Sequence, residues 1–308
     1  MTAEIAPGMR RVLVATDFSS TAEAAVAWAV EVARPHGAEV RLVHSLTLPT
    51  PVPGYVVADG DFGEELRAAA QTRLDEAAAR LTAAGTPVET DLRMGIPSQA
   101  ILSAADEWHP DLLVIGTRGL TGLAHLLLGS TAERVVQKAR CPVLSVHPDD
   151  AARHRPIRTV LVPTDFSKDA DRALETVLHL FPAPQGAIKL VLVHAYHLPI
   201  EYTAYGPIPT SVHYLEDVAG EAEQRLKERA RQYQRDGVTV EAVCREGFPP
   251  DVIVEEAAQH DADLVAMGTH GRSGLAHLLL GSTAERVVQK SPCPVMTMRR
   301  GEEGSGED

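Results

Sequence analysis

The stretch "GTRGLTGLAHLLLGSTAERVVQK" at 116–138 occurs a second time at 268–290, as "GTHGRSGLAHLLLGSTAERVVQK". Seventeen consecutive residues, 122–138 and 274–290, are identical. The similarity continues outward, because 10–45 aligns with 158–195 and "CPVLSVHP" aligns with "CPVMTMRR". A repeat of this length predicts one structural unit that is present twice.

Each unit alternates short β-branched runs with longer amphipathic segments. In the first copy "RVLVAT", "AEVRLVHS", "PVETDLRMG", "DLLVIG" and "CPVLSVH" are predicted strands, separated by helices. We predict that the first helix begins at a capping box of Ser20 and Glu23 and ends at Gly37. Pro97 opens a later helix, and the last one starts at about Ser130. Strands that alternate with helices predict two tandem doubly wound, Rossmann-like α/β domains.

Length and composition set the domain count and the compartment. The 308 residues suit two domains, which we place at 1–148 and 156–300, with 147–157 read as a linker and 301–308 as a disordered acidic tail. The net charge of −13 argues against nucleic acid as a partner. The chain has neither a membrane-length apolar run nor a signal-peptide core, and its three cysteines show no ligand spacing. We therefore expect a cytoplasmic protein without a membrane partner.

The repeated stretch combines a glycine-rich loop with the start of a helix. Its spacing, G-x2-G-x9-G-[ST], is met in both copies. Glycines let backbone N–H groups approach a ligand, and the first N–H groups of a helix attract anions, so we predict a phosphate site built mainly from backbone. The lysine of a Walker loop is absent. The predicted residues are Gly116, Gly119, Gly129, Ser130 and Thr131 in the first copy and Gly268, Gly271, Gly281, Ser282 and Thr283 in the second.

Six features in order resemble the universal stress protein family, in the tandem form of its ATP-binding branch. In the first copy they are "VLVATDFS", "RLVHS", "MGIP", "DLLVIG", the glycine pattern and "CPVLSV". The resemblance covers nearly the whole chain except the tail. It implies a five-stranded parallel sheet of order 3-2-1-4-5 in each domain. It also implies ATP as the ligand, with Mg²⁺ or Mn²⁺, at one site per domain.

The resemblance further implies which residues hold the nucleotide. Asp17 and Asp165 match the aspartate near the ribose and its metal ion. Ser45 and Ala195 match the position whose backbone contacts adenine, and the glycine pattern matches the ribose–phosphate loop. From the residues alone, Asp17 could instead cap the following helix.

Three further sets of residues lie in or near the predicted site or the strands. Arg118 and His270 stand inside the glycine loop and could reach phosphates. His44 and His194, at strand ends, are interpreted as structural. The cysteines before the fifth strands are interpreted as packing residues.

The function that the resemblance implies is an ATP-binding module in stress response and signalling. The alternative is a slow ATP hydrolase or another nucleotide-processing enzyme of the same fold. Phosphoryl transfer needs concentrated positive charge and a positioned attacking group. The sequence offers neither a lysine clamp nor a dedicated base, so we assign no catalytic residue and expect weak ATPase activity at most.

The fifth strands are predicted to be apolar sheet edges, which favour pairing. In the family, single-domain members dimerise through this edge, so a tandem chain can pair its two domains internally. The sequence leaves open whether two such chains then form a homodimer.

Overall fold

The computed structural model describes residues 8–47, 61–119, 128–153, 155–182, 187–196, 201–203, 206–208, 212–269 and 280–299. The chain divides into two compact units, Met1–His154 and Arg155–Asp308. Both units alternate strands and helices around a parallel sheet, so the predicted α/β fold class is confirmed. The tail at 301–308, predicted to be disordered, lies outside the described residues.

The first unit is a parallel sheet with the strand order β3-β2-β1-β4-β5, the order that the resemblance implies. Short 3₁₀ helices follow α1 and β5, at Arg34–His36 and Pro148–Arg153. The other elements are β1 (Arg11–Ala15), α1 (Ser20–Ala33), β2 (Glu39–Leu46), α2 (Asp61–Ala83), β3 (Val88–Met94), α3 (Pro97–Trp108), β4 (Leu112–Gly116), α4 (Ser130–Lys138) and β5 (Val143–Val146).

The second unit repeats this sheet, in the order β10-β7-β6-β11-β12. Strands β8 and β9 form a separate antiparallel pair. The elements are β6 (Thr159–Pro163), α5 (Lys168–Leu180), β7 (Ile188–Tyr196), β8 (Glu201–Thr203), β9 (Gly206–Ile208), α6 (Val212–Tyr233), β10 (Val238–Glu246), α7 (Pro249–Gln259), β11 (Leu264–Gly268), α8 (Ser282–Lys290) and β12 (Val295–Met298).

The central strands are buried on both faces. In β1, the consecutive residues Val12, Leu13 and Val14 are all 0% exposed. Because neighbouring side chains of a strand point to opposite faces, this burial shows that both faces of the sheet are covered. It also explains why the strand is a continuous apolar run in the sequence.

The start of α1 differs from the prediction by one residue. Its N-cap is Ser19, whose side chain accepts the N–H three residues later, so Ser20 and Glu23 do not form the predicted capping box. The carboxylate of Asp17 accepts the N–H of Ser19 at 3.0 Å, and Phe18 has a φ of 62°. These two features turn the chain into the helix one residue earlier than expected.

The segment predicted to be a linker is partly a packed element of the first unit. Asp150, in the 3₁₀ helix after β5, is only 2% exposed. Its carbonyl accepts the indole N–H of Trp28 at 3.1 Å, and its carboxylate accepts the backbone N–H of His147 at 2.7 Å. The first unit therefore extends past the predicted boundary at residue 148, to His154.

The cysteine before β5 is expected to be chemically inert. Burial, reinforced by the carboxylates of Asp106 and Asp111, raises the pKa of Cys141 to about 12. At pH 8 its reactive thiolate fraction is therefore on the order of 10⁻⁴. We expect iodoacetamide to label Cys141 far more slowly in native than in urea-denatured protein, as measured by mass spectrometry of its peptide. Equal labelling rates would contradict the packing role.

Candidate functional site

A cleft opens in the first unit at the carboxyl ends of β1 and β4, which are neighbours in the sheet. Ligands of doubly wound folds bind at this edge of the sheet, where the strand order reverses. The cleft has a volume of about 240 Å³. All the residues predicted for the first domain line it: Asp17, Ser45, Gly116, Arg118, Gly119, Gly129, Ser130 and Thr131.

The second unit has a matching cleft of about 220 Å³ at the ends of β6 and β11. Two predicted residues, His270 and Gly271, lie outside the described residues. The remaining predicted residues all line the cleft: Asp165, Ala195, Gly268, Gly281, Ser282 and Thr283. In each unit the structure thus brings the aspartate after the first strand close to the start of the last helix, about 115 positions later in the chain.

The turn after β1 is tied to β2 by its backbone. The N–H of Thr16 donates to the carbonyl of Val43 at 2.9 Å. The carbonyl of Thr16 accepts a hydrogen bond from Nδ1 of His44 at 2.8 Å, which requires the proton on that nitrogen. In the second unit His194 makes the same bond to Thr164 at 2.7 Å. These contacts support the interpretation of both histidines as structural.

Asp17 joins this turn to the glycine loop. The N-cap of α1 is Ser19, so the alternative in which Asp17 caps the helix is wrong. A Cβ atom on Gly119 would lie 2.7 Å from Oδ2 of Asp17, closer than real Cβ contacts allow. A side chain at this position would push the carboxylate of Asp17 out of its place, and glycine leaves room for it.

The base of the glycine loop is closed by a buried threonine. Thr117 is 1% exposed, and its carbonyl accepts the N–H of Gly129 at 2.8 Å. In the second unit Thr269 is 2% exposed and accepts from Gly281 at 2.9 Å. Each threonine also donates its N–H to the last residue of the fifth strand of its sheet, at 2.9 Å. Sequence reasoning missed both threonines, although both copies contain them.

The N-termini of α4 and α8 face the clefts. Their N-caps are Gly129 and Gly281, and no side chain of the described residues caps either helix. The first N–H groups of a helix have no partner within it and carry the positive end of its dipole. Ser130 and Thr131 supply two of these groups in the first cleft. This arrangement suits a bound anion.

Comparison with known proteins identifies the family. The model of the universal stress protein family matches residues 8–147 and 156–299. The chain belongs to this family. A universal stress protein of Mycolicibacterium smegmatis is 30% identical over 296 residues, which are 94% of this chain and 96% of the relative. One from Mycobacterium tuberculosis is 30% identical over 302 residues, 94% and 97% of the two chains.

A solved structure with the same fold covers both units. The crystal structure of a universal stress protein from Archaeoglobus fulgidus matches 97% of this chain and 100% of its own, with a TM-score of 0.66 and 24% identity. In the part of this universal stress protein that the structure describes, we find no helix with the length and apolarity of a membrane span.

The two clefts of this universal stress protein differ at the rim near β2 and β7. In the first unit the hydroxyl of Ser45 donates to the carbonyl of Gly95 at 2.9 Å, and Thr47 donates to the same carbonyl. Ala195 takes the place of Ser45 in the second unit and has no hydroxyl. The first cleft therefore has a side-chain link across this rim that Ala195 cannot make.

Proposed function

We propose that each domain binds one adenine nucleotide, ATP with Mg²⁺ or Mn²⁺, and that the protein is a nucleotide-dependent module of stress response and signalling. One observation supports this proposal above the others. Each cleft combines a helix N-terminus without a side-chain cap among the described residues, lining glycines and an aspartate. Such a set suits a ligand with both an anionic chain and hydroxyl groups.

The residues present fit the parts of a nucleotide. The N–H groups at the start of α4 and α8 would hold phosphate oxygens, assisted in the first cleft by Arg118. The carboxylates of Asp17 and Asp165 would accept ribose hydroxyls or contribute to a metal ion. Among the described lining residues each cleft has a single carboxylate, whereas magnesium sites need several oxygens. The metal ion would therefore arrive with the phosphates.

The lining residues favour binding over turnover. No lysine occurs among the described residues of either cleft. In each aspartate, one carboxylate oxygen already accepts the N–H of the serine two residues later. Bound nucleotide would act by stabilising one conformation or assembly over another. The cytoplasmic location, the pairing of the domains and a homodimer stay predictions.

Isothermal titration calorimetry of the intact chain tests this proposal. With Mg²⁺ and ATP up to millimolar concentration, we expect two nucleotides bound per chain, because both clefts have the same residues at the helix N-terminus, Gly-Ser-Thr. The same mixture, incubated with radiolabelled ATP, should release less than one ADP per site. Absence of heat at millimolar ATP would refute the binding proposal, and many turnovers per site would instead favour the slow hydrolase.

A further inference from the structure

A bulky residue with a left-handed backbone stands beside each cleft. Phe18 has a φ of 62° and Phe166 a φ of 63°. Residues with a Cβ atom rarely adopt this conformation, because the Cβ crowds the neighbouring carbonyl. The two phenylalanines directly follow Asp17 and Asp165. An unfavourable conformation that recurs in both units must be held by its surroundings.

Two hydrogen bonds hold the turn itself. The N–H of Phe18 donates to Oγ1 of Thr16 at 3.0 Å, and the N–H of Ser19 donates to Oδ1 of Asp17 at 3.0 Å. The second unit repeats both bonds at the same lengths between the corresponding residues. The orientation of the aspartate is thus coupled to the backbone of the phenylalanine that follows it.

The phenylalanine ring is held between two other elements. The ring of His44, on β2, lies 4.6 Å from that of Phe18, and the guanidinium carbon of Arg73, on α2, lies 4.5 Å from it. The second unit repeats this arrangement although α2 and α6 differ at most positions. Its members are Phe166 with His194 at 4.5 Å and Arg225 at 4.7 Å. Aromatic and cation–π contacts of this kind stabilise the ring in place.

We infer that Phe18 and Phe166 are positioning residues of the two nucleotide sites, an inference that rests on the function proposed above. Their rings, held by the histidine and the arginine, keep the turn left-handed. This left-handed conformation places the carboxylates of Asp17 and Asp165 in the clefts. In the first cleft, Oδ2 of Asp17 faces Gly119.

A set of paired substitutions separates this role from simple packing. Phe18 and Phe166 are both replaced by alanine, by glycine or by tyrosine, so that both sites change together. Alanine removes the ring but keeps the Cβ that opposes a positive φ, whereas glycine removes both. We expect Mg–ATP to bind about tenfold more weakly to the alanine variant, two- to threefold more weakly to the glycine variant, and equally to the tyrosine variant. Calorimetry measures the affinities, and circular dichroism checks the fold.

The relative affinities of the variants for Mg–ATP distinguish a positioning role from simple packing. Packing alone would make glycine at least as harmful as alanine, because both lose the ring and glycine also loses its Cβ. If the glycine variant binds Mg–ATP as weakly as the alanine variant or more weakly, the positioning role is overturned and the proposed function stays intact. The same holds if the alanine variant binds as tightly as the wild type. Absence of binding by the wild-type chain would overturn both. If the alanine variant fails to fold, the glycine and tyrosine variants decide: tenfold weaker binding by the tyrosine variant overturns the role, and near wild-type binding by both supports it.

Discussion

Replacing Gly129 and Gly281 together by aspartate is expected to abolish nucleotide binding and to leave the fold intact. The new carboxylates would stand at the N-termini of α4 and α8, where the proposed phosphates bind. Repulsion between like charges costs several kcal/mol, so we expect affinity for Mg–ATP to fall by more than about 100-fold. Aspartate is a favourable N-cap residue, which offsets the crowding of its Cβ atom, so the melting temperature should change little.

The matched control is asparagine at the same two positions. It has the shape and capping ability of aspartate without its charge. A Cβ atom at Gly129 would lie 3.2 Å from the carbonyl oxygen of Thr117. Because of this crowding, we expect the asparagine variant to bind Mg–ATP about tenfold more weakly than the wild type. Calorimetry of the three proteins separates the two effects. Equal affinities for the aspartate and asparagine variants would show that no anion binds at these helices.

Replacing Trp28 by alanine is expected to destabilise the first unit by about 3–5 kcal/mol, the usual cost of removing a buried tryptophan. Trp28 is 1% exposed, and it holds the 3₁₀ helix after β5 through the carbonyl of Asp150. Hydrogen exchange measured by mass spectrometry should show faster exchange in peptides from α1 and from 148–153, with peptides from α5 as the internal reference.

Phenylalanine at position 28 serves as the control for the hydrogen bond alone. It keeps most of the apolar volume but cannot donate a hydrogen bond to Asp150. We therefore expect the free energy of unfolding of the first unit to fall by about 1–2 kcal/mol. If the free energy of unfolding of the alanine variant is less than about 1 kcal/mol below that of the wild type, Trp28 is not the core residue that its burial indicates.

Sequence patterns predicted the elements and the cleft because both follow from general rules. Continuous apolar runs such as 11–15 indicate buried parallel strands, and the ends of such strands meet at one edge of the sheet. The segments with Asp17 and Gly119 therefore had to lie close together. Their roles in nucleotide binding stay predictions, since neighbouring positions in a cleft do not by themselves identify a ligand.

The features that sequence reasoning missed depend on the backbone. Ser19 and Ser20 are equally good caps, and only the turn at Asp17 and Phe18 decides between them. Thr117 acts at the base of the loop through its N–H and carbonyl, which every residue except proline has, so its side chain gave no signal. The positive φ of Phe18 could not be predicted, because phenylalanine disfavours it.

The packed 3₁₀ helix affects how the halves should be separated for expression. The family match ends its first segment at residue 147 and begins its second at 156. A fragment cut at 147 would lose Asp150 and uncover Trp28, and one begun at 156 would lose Arg155, which pairs with Asp261 at 2.9 Å and with Asp263. Fragments 8–153 and 155–299 keep these contacts, so we expect them to suit the study of one cleft better than fragments cut at the family boundaries.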